Sequence, residues 1–175
     1  KHLDELGDMV AAGARAVMLY LIQIGSAQRF ALARDIDPKY AAAFDRVAAS
    51  IGGSVEGKRI AVLGLAFKTD TDDVRDSSSI PLIRILQDMG ASISAYDPAA
   101  MEAAARVLDK VQYAASTEDA LRGADCAVIM TEWAEFKQMD LGVFAREMAA
   151  PVVVDFRNLY DPARADAAGF TYFSM

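Results

Sequence analysis

From Arg59 onward, short runs of consecutive apolar residues alternate with stretches in which apolar residues recur every three or four positions. The runs include Ile60-Ala61-Val62-Leu63, Ala127-Val128-Ile129-Met130 and Val152-Val153-Val154. A strand that is apolar at successive positions has both faces covered, as in a parallel sheet sandwiched by helices. The spacing predicts strands over 59–65, 92–96, 111–114, 126–131, 151–155 and 170–173. Helices are expected between them, over 79–89, 99–108, 117–122, 141–149 and 162–168. Gly90, Gly123 and Gly169 stand just past helical stretches and suit C-terminal caps.

This alternation, joined by right-handed crossovers, gives an α/β fold: a Rossmann-like doubly wound parallel sheet of about six strands. The first fifty residues read differently. Leu3, Leu6, Met9 and Val10 have helical spacing, predicting an amphipathic helix over 2–12 that ends near Gly13. Ala16–Ile22 is a short apolar run with the length of a buried strand, and Asp37-Pro38 precedes an alanine-rich helix over 38–49. Ile51-Gly52-Gly53-Ser54 has the composition of a flexible join. The expected organisation is therefore a small N-terminal αβ segment of different origin (1–50), a linker (51–56) and the main domain (57–175). Six basic and six acidic residues cancel within 1–50, so the whole net charge of −7 resides in 51–175 and supports that boundary.

That acidity argues against broad binding to nucleic acid or anionic membranes, while leaving room for one local basic pocket. With 54% hydrophobic and 25% charged residues, a packed core is expected rather than disorder. No apolar run approaches the roughly 18 residues of a membrane span. The single cysteine, Cys126, forms no intrachain disulfide, and Lys1 opens no signal-peptide pattern; both fit a cytoplasmic protein.

Polar clusters follow the ends of three predicted strands. They are Gly64–Ser79 after the first, Thr131-Glu132-Trp133 after the fourth and Asp155-Phe156-Arg157-Asn158 after the fifth. In an open doubly wound sheet, ligands bind beyond these carboxyl ends, where the strand order reverses. Lys68, Arg75 and Arg157 would thus share one rim of an acidic domain as an anion site. Solvated rim charges are the plainer reading of the same residues. The first turn keeps only Gly64 of a Gly-x-Gly-x-x-Gly pattern, so recognition by side chains is expected in place of backbone cradling. Ser77–Ser79 can cap the helix that follows.

Gly57–Lys68, Thr71–Arg75, Tyr96-Asp97-Pro98, Thr131–Phe136, Arg157–Pro162 and Gly169–Ser174 occur in the order of blocks in the C-terminal domain of UDP-glucose/GDP-mannose dehydrogenases, which this region resembles. The Thr-Glu-Trp block favours the UDP-glucose branch. The resemblance implies that Phe67 and Lys68 contact a UDP-sugar, that Arg157 holds its phosphate or sugar side, and that Arg75 reaches toward NAD bound mainly by a domain absent from this chain. It also implies an NAD-binding domain or second subunit as partner. Phe156 departs from a small residue usual in the family, and Thr69-Asp70 from a Pro-Asn pair. Members oxidise the sugar C6 alcohol through a cysteine in a Gly-Gly-x-Cys-type motif, which is missing from these residues. Cys126, at the opening of an apolar strand, reads as core, so no catalytic residue is assigned and inactivity in isolation is expected.

Lys1–Leu6, Arg15–Tyr20 and Asp35–Ala41 resemble the C-terminal part of sugar fermentation stimulation proteins, a nuclease-like and DNA-associated family. The chain then reads as two family fragments joined. Lys1 and His2 receive no role. Three alternatives remain at this point: completion of a dehydrogenase by a separate NAD-domain polypeptide, nucleic-acid interaction through 1–50, and NAD binding by the sheet itself. The sugar and any self-association stay open.

Overall fold

The computed structural model describes residues 38–174. The helix expected over 2–12 and the strand over Ala16–Ile22, with Lys1 and His2, lie outside the described residues. The elements run α1 (Pro38–Ser50), β1 (Arg59–Leu63), α2 (Ser79–Asp88), β2 (Ser92–Tyr96), α3 (Met101–Ala105), β3 (Val111–Tyr113) and α4 (Thr117–Leu121). They continue with β4 (Cys126–Ile129), α5 (Ala134–Gln138), α6 (Gly142–Glu147), β5 (Val152–Asp155), α7 (Pro162–Ala167) and β6 (Thr171–Ser174).

All strand pairs are parallel, in the order β3-β2-β1-β4-β5-β6. The order reverses between β1 and β4, which places the switch point of this Rossmann-like sheet between the loops that follow them. Ile60–Leu63 and Cys126–Ile129 are wholly buried, which requires cover on both faces. Cover comes from helices packed in pairs, α1 beside α2 and α4 beside α6. Each fully buried Ile or Leu here contributes roughly 1.5–3 kcal/mol by leaving water.

α1 is built into this core. Ala41, Phe44, Val47 and Ala48 recur at helical spacing and are all buried, the last three in one cluster with Ile60, Leu86 and Val153. The stretch 51–56, expected as a flexible linker, is a compact connection: Gly53 N–H donates to Ala48 O at 2.7 Å and Val55 is buried. Arg46 Nη1 also donates to Ser174 O at 2.6 Å, joining α1 to the edge strand β6. The described part of residues 1–50 therefore shares its core with the sheet.

Local differences have local causes. β1 stops at Leu63 because Gly64 turns out of the sheet at φ +95°. α3 starts two residues later than expected, after a turn in which Asp97 Oδ1 accepts from the amides of Ala99 and Ala100. α5 was not anticipated; it forms around buried Phe136 after Trp133, with no side-chain cap. The serine run does not cap α2 as expected: Ser78 at the N-cap makes no side-chain cap bond. Ser77 Oγ accepts from Ser79 N–H at 3.3 Å, and Ser79 Oγ donates to Gly64 O at 2.8 Å, fastening the helix start to the β1 turn.

Candidate functional site

Every strand points its carboxyl end to one edge of the sheet, and four of the loops there are fastened by two buried aspartates. Asp97 follows β2 and is fully buried. Its Oδ2 accepts from the backbone of Leu65 (2.7 Å) and Ala66 (2.9 Å) and from Trp133 Nε1 (3.1 Å). Its Oδ1 accepts from the amides of Ala99 (2.9 Å) and Ala100 (2.8 Å). One carboxylate thus joins the loops after β1, β2 and β4. Thr131 Oγ1 donates to Ala66 O at 2.8 Å, holding the same stretch from its other side.

Asp155 performs the matching task after β5. It is fully buried, and accepts from Arg157 N–H, Leu159 N–H and the Tyr172 hydroxyl, each at 2.7 Å. Burial, with the Asp155 carboxylate beside it, pushes the Tyr172 hydroxyl well above its ordinary range. Glu135 accepts from Tyr96 Oη (3.2 Å) and Thr117 Oγ1 (3.1 Å). Burial first, then the Glu135 charge, raises Tyr96 to about 12, so it stays a donor at neutral pH.

On this frame stand the residues singled out from sequence. Phe67 and Lys68 follow the anchored Leu65-Ala66 pair directly, and Phe67 is 51% exposed, an apolar ring held in solvent. Its amide donates to Asp73 O at 2.8 Å, closing the neck of the loop. Lys68 is exposed and, among the described residues, makes no hydrogen bond or ion pair. Arg157 lies two strands away and places Nη2 3.9 Å from Glu132 Oε1, while Lys137 Nζ lies 3.7 Å from the other Glu132 oxygen. Phe156 packs against the core.

Arg75 is arranged differently. Its side chain is 87% exposed and grips Asp73, with Nη2–Oδ2 at 2.8 Å and Nε–Oδ1 at 3.0 Å. The rim of three cations therefore has unequal parts: Lys68 and Arg157 stand in loops separated by the one after β4, Arg157 has Glu132 beside it, and Arg75 is gripped by Asp73. Two surface grooves lie elsewhere, one lined by Pro162, Asp166 and Gly169–Tyr172, the other by Arg59, Gln112–Ala115, Asp119 and Arg122.

The β1 turn does not fit a dinucleotide. A pyrophosphate held there needs free amides and glycines that let the backbone approach. The amides of Leu65 and Ala66 already serve Asp97, and Phe67 stands where a small residue would be required. Cys126 is no nucleophile: it is fully buried, and desolvation pushes its thiol to about 12. Sequence reasoning missed Asp97 and Asp155 as organisers. An acid at the carboxyl end of a strand was the signal available.

A doubly wound sheet with a closed dinucleotide turn and side-chain-bearing loops at its switch point defines a Rossmann-like domain that departs from the dinucleotide-binding type. The sequence model of the UDP-glucose/GDP-mannose dehydrogenase family, UDP binding domain, matches residues 61–162. The chain belongs to that family. A UDP-glucose 6-dehydrogenase of Rhizobium meliloti is 42% identical over 130 residues, 74% of this chain and 30% of the relative. One from Bacillus subtilis is 43% identical over 124 residues, 70% of this chain and 28% of the relative. The solved UDP-glucose dehydrogenase of Pyrobaculum islandicum superposes with a TM-score of 0.66 at 30% identity, covering 80% of this chain and 30% of that one. The chain thus spans about 30% of the length of the relatives it matches. The sugar fermentation stimulation protein RE domain matches residues 1–62. No helix among the described residues is long and apolar enough to cross a membrane.

Proposed function

We propose that this chain is the nucleotide-sugar-binding part of a cytoplasmic UDP-glucose 6-dehydrogenase, and that it binds UDP-glucose at the carboxyl edge of its sheet. Phe67 supplies a face for the base or sugar. Lys68 and Arg157 bind phosphate oxygens, a task suited to a point charge and a planar fork on two loops of the same edge. Arg75 leaves Asp73 to approach NAD carried on a separate domain or subunit, since the dinucleotide turn of this sheet is closed. Oxidation to UDP-glucuronate then belongs to the assembled enzyme, with catalytic groups outside these residues. Residues 57–175 carry the binding function, and residues 1–50 contribute at least α1 to its support.

The observation that carries this reading is the display of Phe67 and Lys68 immediately beyond a backbone pair anchored on both sides. Calorimetric titration of the chain with UDP-glucose is the test. Binding is expected, with loss in the Lys68→Ala, Arg157→Ala double variant; binding that survives the double change removes the site. Mixing with an NAD-domain polypeptide and following NADH tests the assembled reaction. The match over residues 1–62 favours a second reading in part, an additional activity of the N-terminal segment. Because α1 and β1 are already committed to the sheet, such an activity rests on residues before 38, and a low-salt gel shift with DNA would detect it.

A further inference from the structure

We propose that Asp97 is the positioning residue of the nucleotide-sugar site, its carboxylate serving as a resident anion in the phosphate nest of the β1 turn. The inference deepens the reading above and rests on it. In dinucleotide-binding sheets the turn after the first strand offers free amides to a pyrophosphate, and an acid at the end of the second strand faces the ribose. Here the acid at the end of β2 turns inward. Asp97 Oδ2 occupies the amides of Leu65 and Ala66 at 2.7 and 2.9 Å, and it collects the Trp133 indole N–H at 3.1 Å.

Five N–H donors from three loops converge on one buried carboxylate. Such convergence has two consequences. The turn is closed to an outside anion, which separates this domain from a dinucleotide site built on the same topology. The Leu65-Ala66 peptides are also fixed, and the backbone that follows them carries Phe67 and Lys68 out to the rim. Thr131 fixes the same stretch by donating to Ala66 O at 2.8 Å. Asp97 therefore acts on a bound nucleotide sugar through the loop, without touching it. Preorganising that loop removes an ordering cost from binding.

Asp97→Ala removes the carboxylate and leaves a cavity of its shape, which formate can fill. In the full chain this variant is expected to bind UDP-glucose about tenfold more weakly, or ~1.4 kcal/mol. Formate should return the affinity, and chloride at equal ionic strength should not. Formate should also shift the amide resonances of Leu65 and Ala66 and the indole of Trp133 in the variant, and leave the wild-type chain unmoved. A folded Asp97→Ala chain that binds UDP-glucose like the wild type overturns the proposal, as does a loss that formate cannot repair. If Asp97→Ala folds only with formate, its formate-dependent melting supports the resident-anion role. If it does not fold at all, Asp97→Asn decides: the amide keeps the shape but presents N–H to N–H, so weakened binding by a folded chain supports the proposal and unchanged binding sinks it. Failure of wild-type chain to bind UDP-glucose would instead count against the functional reading, and the formate shifts would still test the nest.

Discussion

Gly64 and Thr131 approach so closely that a Cβ on the glycine would stand 2.6 Å from both the Cβ and the backbone nitrogen of the threonine. The two residues end β1 and follow β4, the strands flanking the switch point, and their contact sets how near the two loops lie. Gly64 also holds φ +95°, which a side chain strains. Gly64→Ala is expected to cost about 3 kcal/mol from strain and overlap together. A urea melt measures it. Adding Thr131→Ala should recover little, because of these close atoms it removes only Oγ1 at 2.7 Å, while the Cβ and the backbone nitrogen remain in the way.

Phe44 tests whether α1 belongs to the cooperative unit. Its ring is buried against the sheet core, so Phe44→Ala should lower the stability of a single unfolding transition by about 3–4 kcal/mol. A helix merely tethered to the domain would leave the main transition where it was.

These two sites show what was legible beforehand. The strands of the sheet and the loops bearing Phe67, Lys68 and Arg157 follow from apolar runs bounded by polar clusters, a local property, whereas the order-reversal point follows from the usual strand order of a doubly wound sheet. The docking of α1 was hidden by charge bookkeeping, although Phe44, Val47 and Ala48 carry the helical spacing of a buried face. Asp97 was passed over because its donors, Leu65 and Trp133, lie more than thirty residues away on either side; only the fold brings them together. The pairing of Arg75 with Asp73 is local and could have been read from their two-residue separation.

The Asp73 carboxyl sits at about 2, below its ordinary 3.8, chiefly through the side-chain hydrogen bond from Arg75 and then its backbone N–H. A depressed carboxylate contributes to stability above its unfolded value near 4 and loses that contribution as pH falls toward about 2. A carboxyl carbon NMR titration should place the midpoint at about 2. Arg75→Ala should move it only part of the way back, since the backbone donor remains. The pair is exposed, so added salt should narrow the difference and the variant should melt like the wild type.

Cys126 offers a probe of opening. Its buried thiol, raised to about 12, should resist iodoacetamide in the folded chain near pH 8 and react freely in urea. Rapid labelling under native conditions would show that β4 is exposed in solution, contrary to its place at the centre of the sheet.

Glu132 bears on the proposed ligand directly. Its carboxylate lies 3.9 Å from Arg157 and 3.7 Å from Lys137, and all three side chains are partly exposed. A phosphate approaching Arg157 must compete with that carboxylate for the guanidinium and also meets its like charge. Glu132→Gln removes both effects with little change in shape, so UDP-glucose should bind about two- to threefold more tightly at low ionic strength, the size expected of an exposed pair. The gain should disappear in high salt, because both effects are screened there. Calorimetry at two salt concentrations makes the comparison. Weaker binding by the variant would mean that Glu132 orients Arg157 for the ligand, and the carboxylate would then have to be counted among the groups that build the site.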